Sequence, residues 1–198
     1  MLPDTVEERI GVFGGTFDPV HVGHIVGAVE ARRALTLDRV MLVPAGDPWQ
    51  KRGSVAAPAA DRLAMVRAAV EGIDGLEVSA VEVERDGPSY TYQTLEALSG
   101  PGRRLHLIVG ADVAATLRSW VGIERLPDLA TLVVVDRAGD RPSTDGLPAG
   151  WPCERVSIPR LDVSSTDLRA RAARGWPLDG LVPPGAVRII TERGLYRS

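Results

Sequence analysis

Gly14-Gly15-Thr16-Phe17-Asp18-Pro19-Val20-His21-Val22-Gly23-His24, close to the start of the chain, holds two of its three histidines, three positions apart. Imidazoles at i and i+3 on one helical turn share a face, and three chemistries use such a pair. A metal is one, although no third ligand stands close in sequence. Buried structural histidines are another. The third is phosphate recognition, in which imidazole N–H groups, favoured in their charged form beside a polyphosphate, stabilise charge on a transferring phosphoryl group. The surroundings favour the third. The apolar run Arg9-Ile10-Gly11-Val12-Phe13 reads as a buried strand, and Val22, Ile25, Val26 and Val29 then fall at helical spacing. A strand handing over to a helix presents free backbone N–H groups and the positive helix end to an anion. Gly23, without a side chain, lets a ligand approach the backbone between the rings.

A second cluster, Ser164-Ser165-Thr166-Asp167-Leu168-Arg169, places hydroxyls where a helix begins and a guanidinium one turn on. Alone it reads as a helix cap. Arg169, four residues after Ser165, can reach back over the same helix end and complete an anion cradle. Lys51 adds a cation from a loop. Two other nucleotide signatures are absent: there is neither a G-x-G-x-x-G nor a G-x-x-x-x-G-K-[ST].

The elements that must position these clusters alternate. Strands are expected at Arg39–Val43, Leu76–Val83, Leu105–Val109, Thr131–Val135 and Glu154–Ile158. Helices are expected at Asp61–Val70 with Asp61 as N-cap, and at Thr91–Leu98, Ser165–Ala173 and Pro184–Arg193. Long loops fall at Ala45–Ala60 and Ala138–Pro152. That order predicts an α/β, Rossmann-like, doubly wound fold: a mostly parallel sheet with helices on both faces. Gly14–His24, Pro44–Lys51, Gly110–Asp112 and Ser164–Arg169 all lie at strand ends, where such sheets bind ligands.

Composition narrows the classes. The 198 residues fit one domain over 1–198, with no mid-chain linker. A net charge of −3 offers no footprint for nucleic acid or a membrane surface. No apolar run approaches the ~20 residues of a membrane span. Met1–Glu8 is acidic and lacks the apolar stretch of a signal peptide. Cys153, the single cysteine, reads as a partly buried small residue and fits a reducing cytoplasm.

Gly14–His24 matches the G-G-T-F-D-P-x-H-x-G-H signature of the nucleotidyltransferase superfamily, and Ser164–Arg169 resembles its [IV]-S-S-T-x-[IL]-R signature. Three further stretches resemble the bacterial nicotinate-nucleotide adenylyltransferase branch: Val43-Pro44 with Pro48-Trp49-Gln50-Lys51; Pro88–Leu95; and Val109–Asp112 followed by Ser119-Trp120. The similarity runs in order from about Ile10 to Tyr196. Gln50 departs from the pattern, since many members carry histidine there.

The resemblance implies transfer of the adenylyl group of ATP to nicotinate mononucleotide, with Mg²⁺ accompanying the ATP and no metal held by the protein itself. It implies that Gly14, Gly15, Thr16 and Phe17 line the ATP site, that His21, His24, Lys51 and Arg169 act on the phosphates, and that Ser165 and Thr166 help hold them. Gly110 and Asp112 would face ribose, with helix capping as the plainer role for Asp112. Trp120 would stack on the nicotinate ring, and the backbone at Thr91 would receive its carboxylate; core packing is the plainer role for Trp120. Nucleic acid and membrane are not implied as partners, and assembly into a homo-oligomer is left open. The alternatives are phosphopantetheine or the amidated mononucleotide as acceptor, and a nucleotide-binding sensor without catalysis.

Overall fold

Alternating apolar runs become the strands of one six-stranded parallel sheet in a computed structural model that describes residues 7–48, 53, 55–137 and 147–197. The strands are β1 (Glu8–Gly15), β2 (Arg39–Pro44), β3 (Leu76–Val78), β4 (Arg103–Gly110), β5 (Ala130–Arg137) and β6 (Cys153–Ile158). Their order is β3-β2-β1-β4-β5-β6. The chain thus winds outward from β1 in one direction, returns to β4 beside β1, and winds outward in the other. Both faces are covered. Phe13, Ile108 and Val133 point to the side packed by α1 (Val22–Ala34), α2 (Ala59–Val70), α6 (Ser165–Ala173) and α7 (Pro184–Glu192). Val12, Leu107 and Leu132 point to the side packed by α3 (Thr91–Leu98) and two single-turn helices, α4 (Ala111–Ala114) and α5 (Leu126–Leu129). Among the described residues no helix is long and apolar enough to cross a membrane.

Several expectations are corrected. The run Leu76–Val83 is a strand only to Val78; beyond it the chain turns, and the Glu82 carbonyl occupies the place a Cβ on Gly46 would take. The polar residue whose alternation resembles an exposed strand position is instead buried beneath the loop that follows β2. Asp61 does not cap α2. Pro58 takes the N-cap position, and Asp61 lies in the first turn, paired with Arg193 at the C-cap of α7. The valines of α1 are not its core face: Gly27, Ala28 and Ala31 are buried and Val29 is 38% exposed. Small residues let α1 approach the sheet closely, with Phe13 and Val135 at ordinary contact distance beneath Gly27. Cys153 is exposed rather than partly buried, because it opens an edge strand.

His106 of β4 is 2% exposed, and neither ring nitrogen meets a hydrogen-bond partner among the described residues. Burial lowers its pKa, and the nearby Arg9 and Arg104 add to that effect. The unfolded chain therefore takes up this proton near the ordinary value of 6.5, before the native chain does. Stability linked to His106 is full above that pH and falls as pH drops below it. Urea unfolding of His106→Leu should accordingly lose less stability than the parent between about pH 7 and about pH 5, by up to about 1.4 kcal/mol per pH unit. Parallel pH profiles would refute this.

Candidate active site

β1 and β4 pair only as far as Phe13–Ile108. Beyond that point Gly14 and Gly15 stay with β2, while Val109 and Gly110 stay with β5. The strands part at their carboxyl ends, which opens a crevice at the reversal of strand order, the usual place for a ligand in such a sheet. A Cβ on Gly14 would meet nothing within 4 Å, so bare backbone faces open space there. Gly15 is required for a different reason. Phe17 adopts φ +50°, and its ring folds to 2.9 Å from where a Gly15 Cβ would stand.

The turn delivers the histidines as a stacked pair, with ring centroids 3.7 Å apart and planes 25° apart. His21 is the N-cap of α1 in extended backbone, and its backbone N–H donates to His24 Nδ1 at 3.2 Å. Only an unprotonated Nδ1 can accept that bond. His24 Nδ1 is thus engaged as an acceptor, which leaves Nε2 as the ring's other polar atom. Phe17 packs edge-on against His24 at 4.9 Å. The space at Gly23 is not open to a ligand: a Cβ there would meet the His21 ring at 3.1 Å and Val163 at 3.2 Å. Gly23 serves the imidazole stack. Among the described residues no group of three or more His, Cys, Asp or Glu side chains could hold a metal.

The second cluster is joined to the first. Ser164 is the N-cap of α6, its Oγ accepting the Asp167 N–H at 3.1 Å and donating to Asp167 Oδ2 at 2.7 Å. Ser165 Oγ donates to the Pro19 carbonyl at 2.9 Å, and Arg169 Nη1 donates to the Asp18 carbonyl at 2.8 Å. Thr166 is exposed on the first turn of α6. Gly110 caps α4 with its backbone, and Asp112 lies exposed in the first turn, so it is not the N-cap; its Oδ1 comes within 2.7 Å of a Gly110 Cβ position. Lys51 and Gln50 lie outside the described residues.

Sequence reasoning passed over the charges beneath these groups. Arg62 is 1% exposed and donates to three carbonyls: Thr16 at 2.7 Å, Gly46 at 3.2 Å and Ala57 at 3.1 Å. Burial lowers its pKa, opposed first by the Asp18 carboxylate. Asp18, 3% exposed, accepts the Ala56 N–H at 2.7 Å, the Ala57 N–H at 3.1 Å and the Tyr196 hydroxyl at 2.7 Å. Arg62 does carry a sequence signal. It stands in helical phase with Met65, Val66 and Ala69, so a lone cation occupies the apolar stripe.

Across the crevice, Thr91 is the first residue of α3, where backbone N–H groups have no acceptor within the helix. Behind it Glu82 is buried, accepts from Thr94 Oγ1 at 2.6 Å, and has its pKa raised chiefly by burial. The Ser89 hydroxyl accepts the Gly46 N–H at 3.0 Å, tying this segment to the loop after β2. Trp120 is partly buried and packs against the α3–α5 core with its indole N–H enclosed, which is the packing role. Tyr92, beside Thr91, packs on Gly122 with the Arg125 guanidinium 4.3 Å over its ring, and this joins α3 to the Trp120 turn.

The Cytidylyltransferase-like family model matches residues 12–171. A probable nicotinate-nucleotide adenylyltransferase of Roseiflexus sp. (strain RS-1) is 46% identical over 194 residues, covering 95% of this chain and 98% of the relative. One of Leifsonia xyli subsp. xyli is 44% identical over 199 residues, covering 100% and 98%. Among solved structures, Plasmodium falciparum nicotinic acid mononucleotide adenylyltransferase complexed with NaAD superposes with a TM-score of 0.78 at 17% identity, covering 96% of this chain and 97% of that one.

Arg62→Met should destabilise the chain by on the order of 3 kcal/mol in denaturant unfolding, because it leaves three buried carbonyls without their donor and removes a cation whose charge faces Asp18. A loss under about 1 kcal/mol would show that water satisfies those groups.

Proposed function

The chain belongs to the nicotinate-nucleotide adenylyltransferases within the Cytidylyltransferase-like family, and from that premise we propose that it transfers the adenylyl group of ATP to nicotinate mononucleotide. The observation that carries the reading is the joining of the two signatures by Arg169 on the Asp18 carbonyl and Ser165 on the Pro19 carbonyl. A phosphate oxygen of the mononucleotide attacks the α-phosphorus of ATP. The bond from that phosphorus to the bridging oxygen breaks, and pyrophosphate leaves with the electron pair. The attacking phosphate is already ionised near neutral pH, so no general base is needed. In-line positioning and neutralisation of the leaving group supply the catalysis.

Backbone of Gly14, Gly15, Thr16 and Phe17 lines the ATP site, and Gly110 and Asp112 face its ribose. His21, His24 and Arg169 meet the phosphates, with Ser165 and Thr166 beside them and Lys51 reaching in from its loop. Mg²⁺ arrives as part of the ATP substrate. The Asp18 carboxylate nearby is already taken by three donors, which leaves the ion to triphosphate oxygens and water. Free N–H groups opening α3 at Thr91 suit a carboxylate, and Trp120 offers a plane for the ring. The cytoplasm fits this chemistry.

Two measurements test the reading. His24→Ala and Arg169→Ala should each lower kcat by about 10²–10³-fold in a folded protein, as the loss of a preorganised donor does; unchanged kinetics in either would remove that residue from the site. In competition with ATP and Mg²⁺, nicotinate mononucleotide should be preferred over its amide by about 10²-fold or more, from two charge-assisted bonds at roughly 1.5–3 kcal/mol each. Trp120→Ala should weaken both alike. Turnover with phosphopantetheine and none with nicotinate mononucleotide would refute the substrate.

A further inference from the structure

Tyr196 reaches the signature turn by way of α7. Gly194, at φ +60°, ends that helix: its N–H donates to the Thr191 carbonyl at 3.3 Å, and the Leu195 N–H donates to the Ile190 carbonyl at 2.9 Å. This pair of bonds is a Schellman motif, which reverses the chain at a left-handed residue. Tyr196 then adopts φ +64° itself, a conformation bulky residues hold only when their surroundings impose it. The ring packs on the core shared by α2 and α7, with the hydroxyl 4.0 Å from Met65 Sδ. The hydroxyl donates to Asp18 Oδ1 at 2.7 Å across 178 residues of sequence. Burial and the adjacent carboxylate raise its pKa, so it remains a donor throughout the working range.

Asp18 is also the residue on which Arg169 rests. Nη1 of Arg169 donates to the Asp18 carbonyl at 2.8 Å and stands 3.9 Å from Oδ2. The same carboxylate holds the N–H groups of Ala56 and Ala57. Without the phenol, Oδ1 keeps only the longer bond from Ala57, and the carboxylate, held chiefly by Ala56 at Oδ2, is less restrained and can shift toward Arg169. A guanidinium drawn onto that carboxylate is drawn off its carbonyl perch and is less available to a triphosphate.

We propose that Tyr196 is a positioning residue for adenylyl transfer, its hydroxyl holding Asp18 so that Arg169 presents its guanidinium to ATP. This rests on the reading of Arg169 as a phosphate contact, and the test separates the two. Tyr196→Phe retains the ring and its packing. It should lower kcat/KM for ATP by about tenfold, the worth of a bond to a charged group, and leave KM for nicotinate mononucleotide unchanged. A merely structural role would move the melting temperature and the active fraction, with no split between the two substrates. In an Arg169→Ala background Tyr196→Phe should have no further effect, because its action runs through Arg169. Parent-like ATP kinetics in Tyr196→Phe, or a full additional loss in the double variant, overturns the proposal while the Arg169 reading stands. Parent-like ATP kinetics in Arg169→Ala overturns both.

Discussion

Asp18 and Arg62 are opposite charges set where water does not reach, and the loops around the crevice take their shape from how each charge is satisfied. Their hydrogen bonds go to loop backbone and one hydroxyl. Arg62 gathers carbonyls from the β1–α1 turn, from the segment after β2 and from the segment entering α2. Asp18 gathers two N–H groups from that last segment and the Tyr196 hydroxyl. Burying each ion costs several kcal/mol, and each bond to a charged group returns roughly 1.5–3 kcal/mol. The balance is acceptable only when all the bonds form together. Net stability is therefore not what the pair supplies; it makes three loops adopt one joint geometry, since displacing any of them strands a charge.

The sheet determines where that geometry is used. A parallel sheet wound outward from β1 in both directions must separate β1 from β4 at the carboxyl end, because their following connections leave toward opposite faces. α1 can sit low over this gap only because Gly27, Ala28 and Ala31 lie against the sheet. The stacked imidazoles then sit at the N-terminus of α1, with α6 brought alongside by Ser165 and Arg169. Two helix starts and a guanidinium converge on one opening, which suits a polyanion in location and in sign.

Much of this was legible in the sequence, for definite reasons. Central strands alternate between two covered faces and bury both sets of side chains, so Val12, Leu107 and Leu132 stand out as runs. Ser164 declares itself as a cap through the carboxylate three residues on. Legibility failed where tertiary contact overrode pattern. Glu82 looks like the polar half of a strand, but its burial depends on Thr94 and on the turn at Gly46, neither of which is local. The valines of α1 outweigh its glycine and alanines on any hydrophobic scale, yet close packing selects the small face. Gly23 reads as an opening for a ligand, whereas a ring two residues back already fills it. Tyr196 meets Asp18 only after the whole sheet has formed, so no window of sequence could join them.

The chemistry asks little of the protein beyond placement, and the histidines show how placement is achieved. A ring that spends Nδ1 on a backbone N–H cannot turn over without losing that bond. Stacking on His21 and the edge of Phe17 restrict the same ring from both sides. A ring held in this way would lose little entropy or reorganisation energy if negative charge developed beside it. Arg169 adds a full positive charge beside them, its Nη1 donating to the Asp18 carbonyl at 2.8 Å and standing 3.9 Å from Oδ2 of the same residue. In the candidate site the stacked rings at the start of α1 and the guanidinium from α6 meet at one turn, where the carbonyl of the buried Asp18 accepts from Arg169.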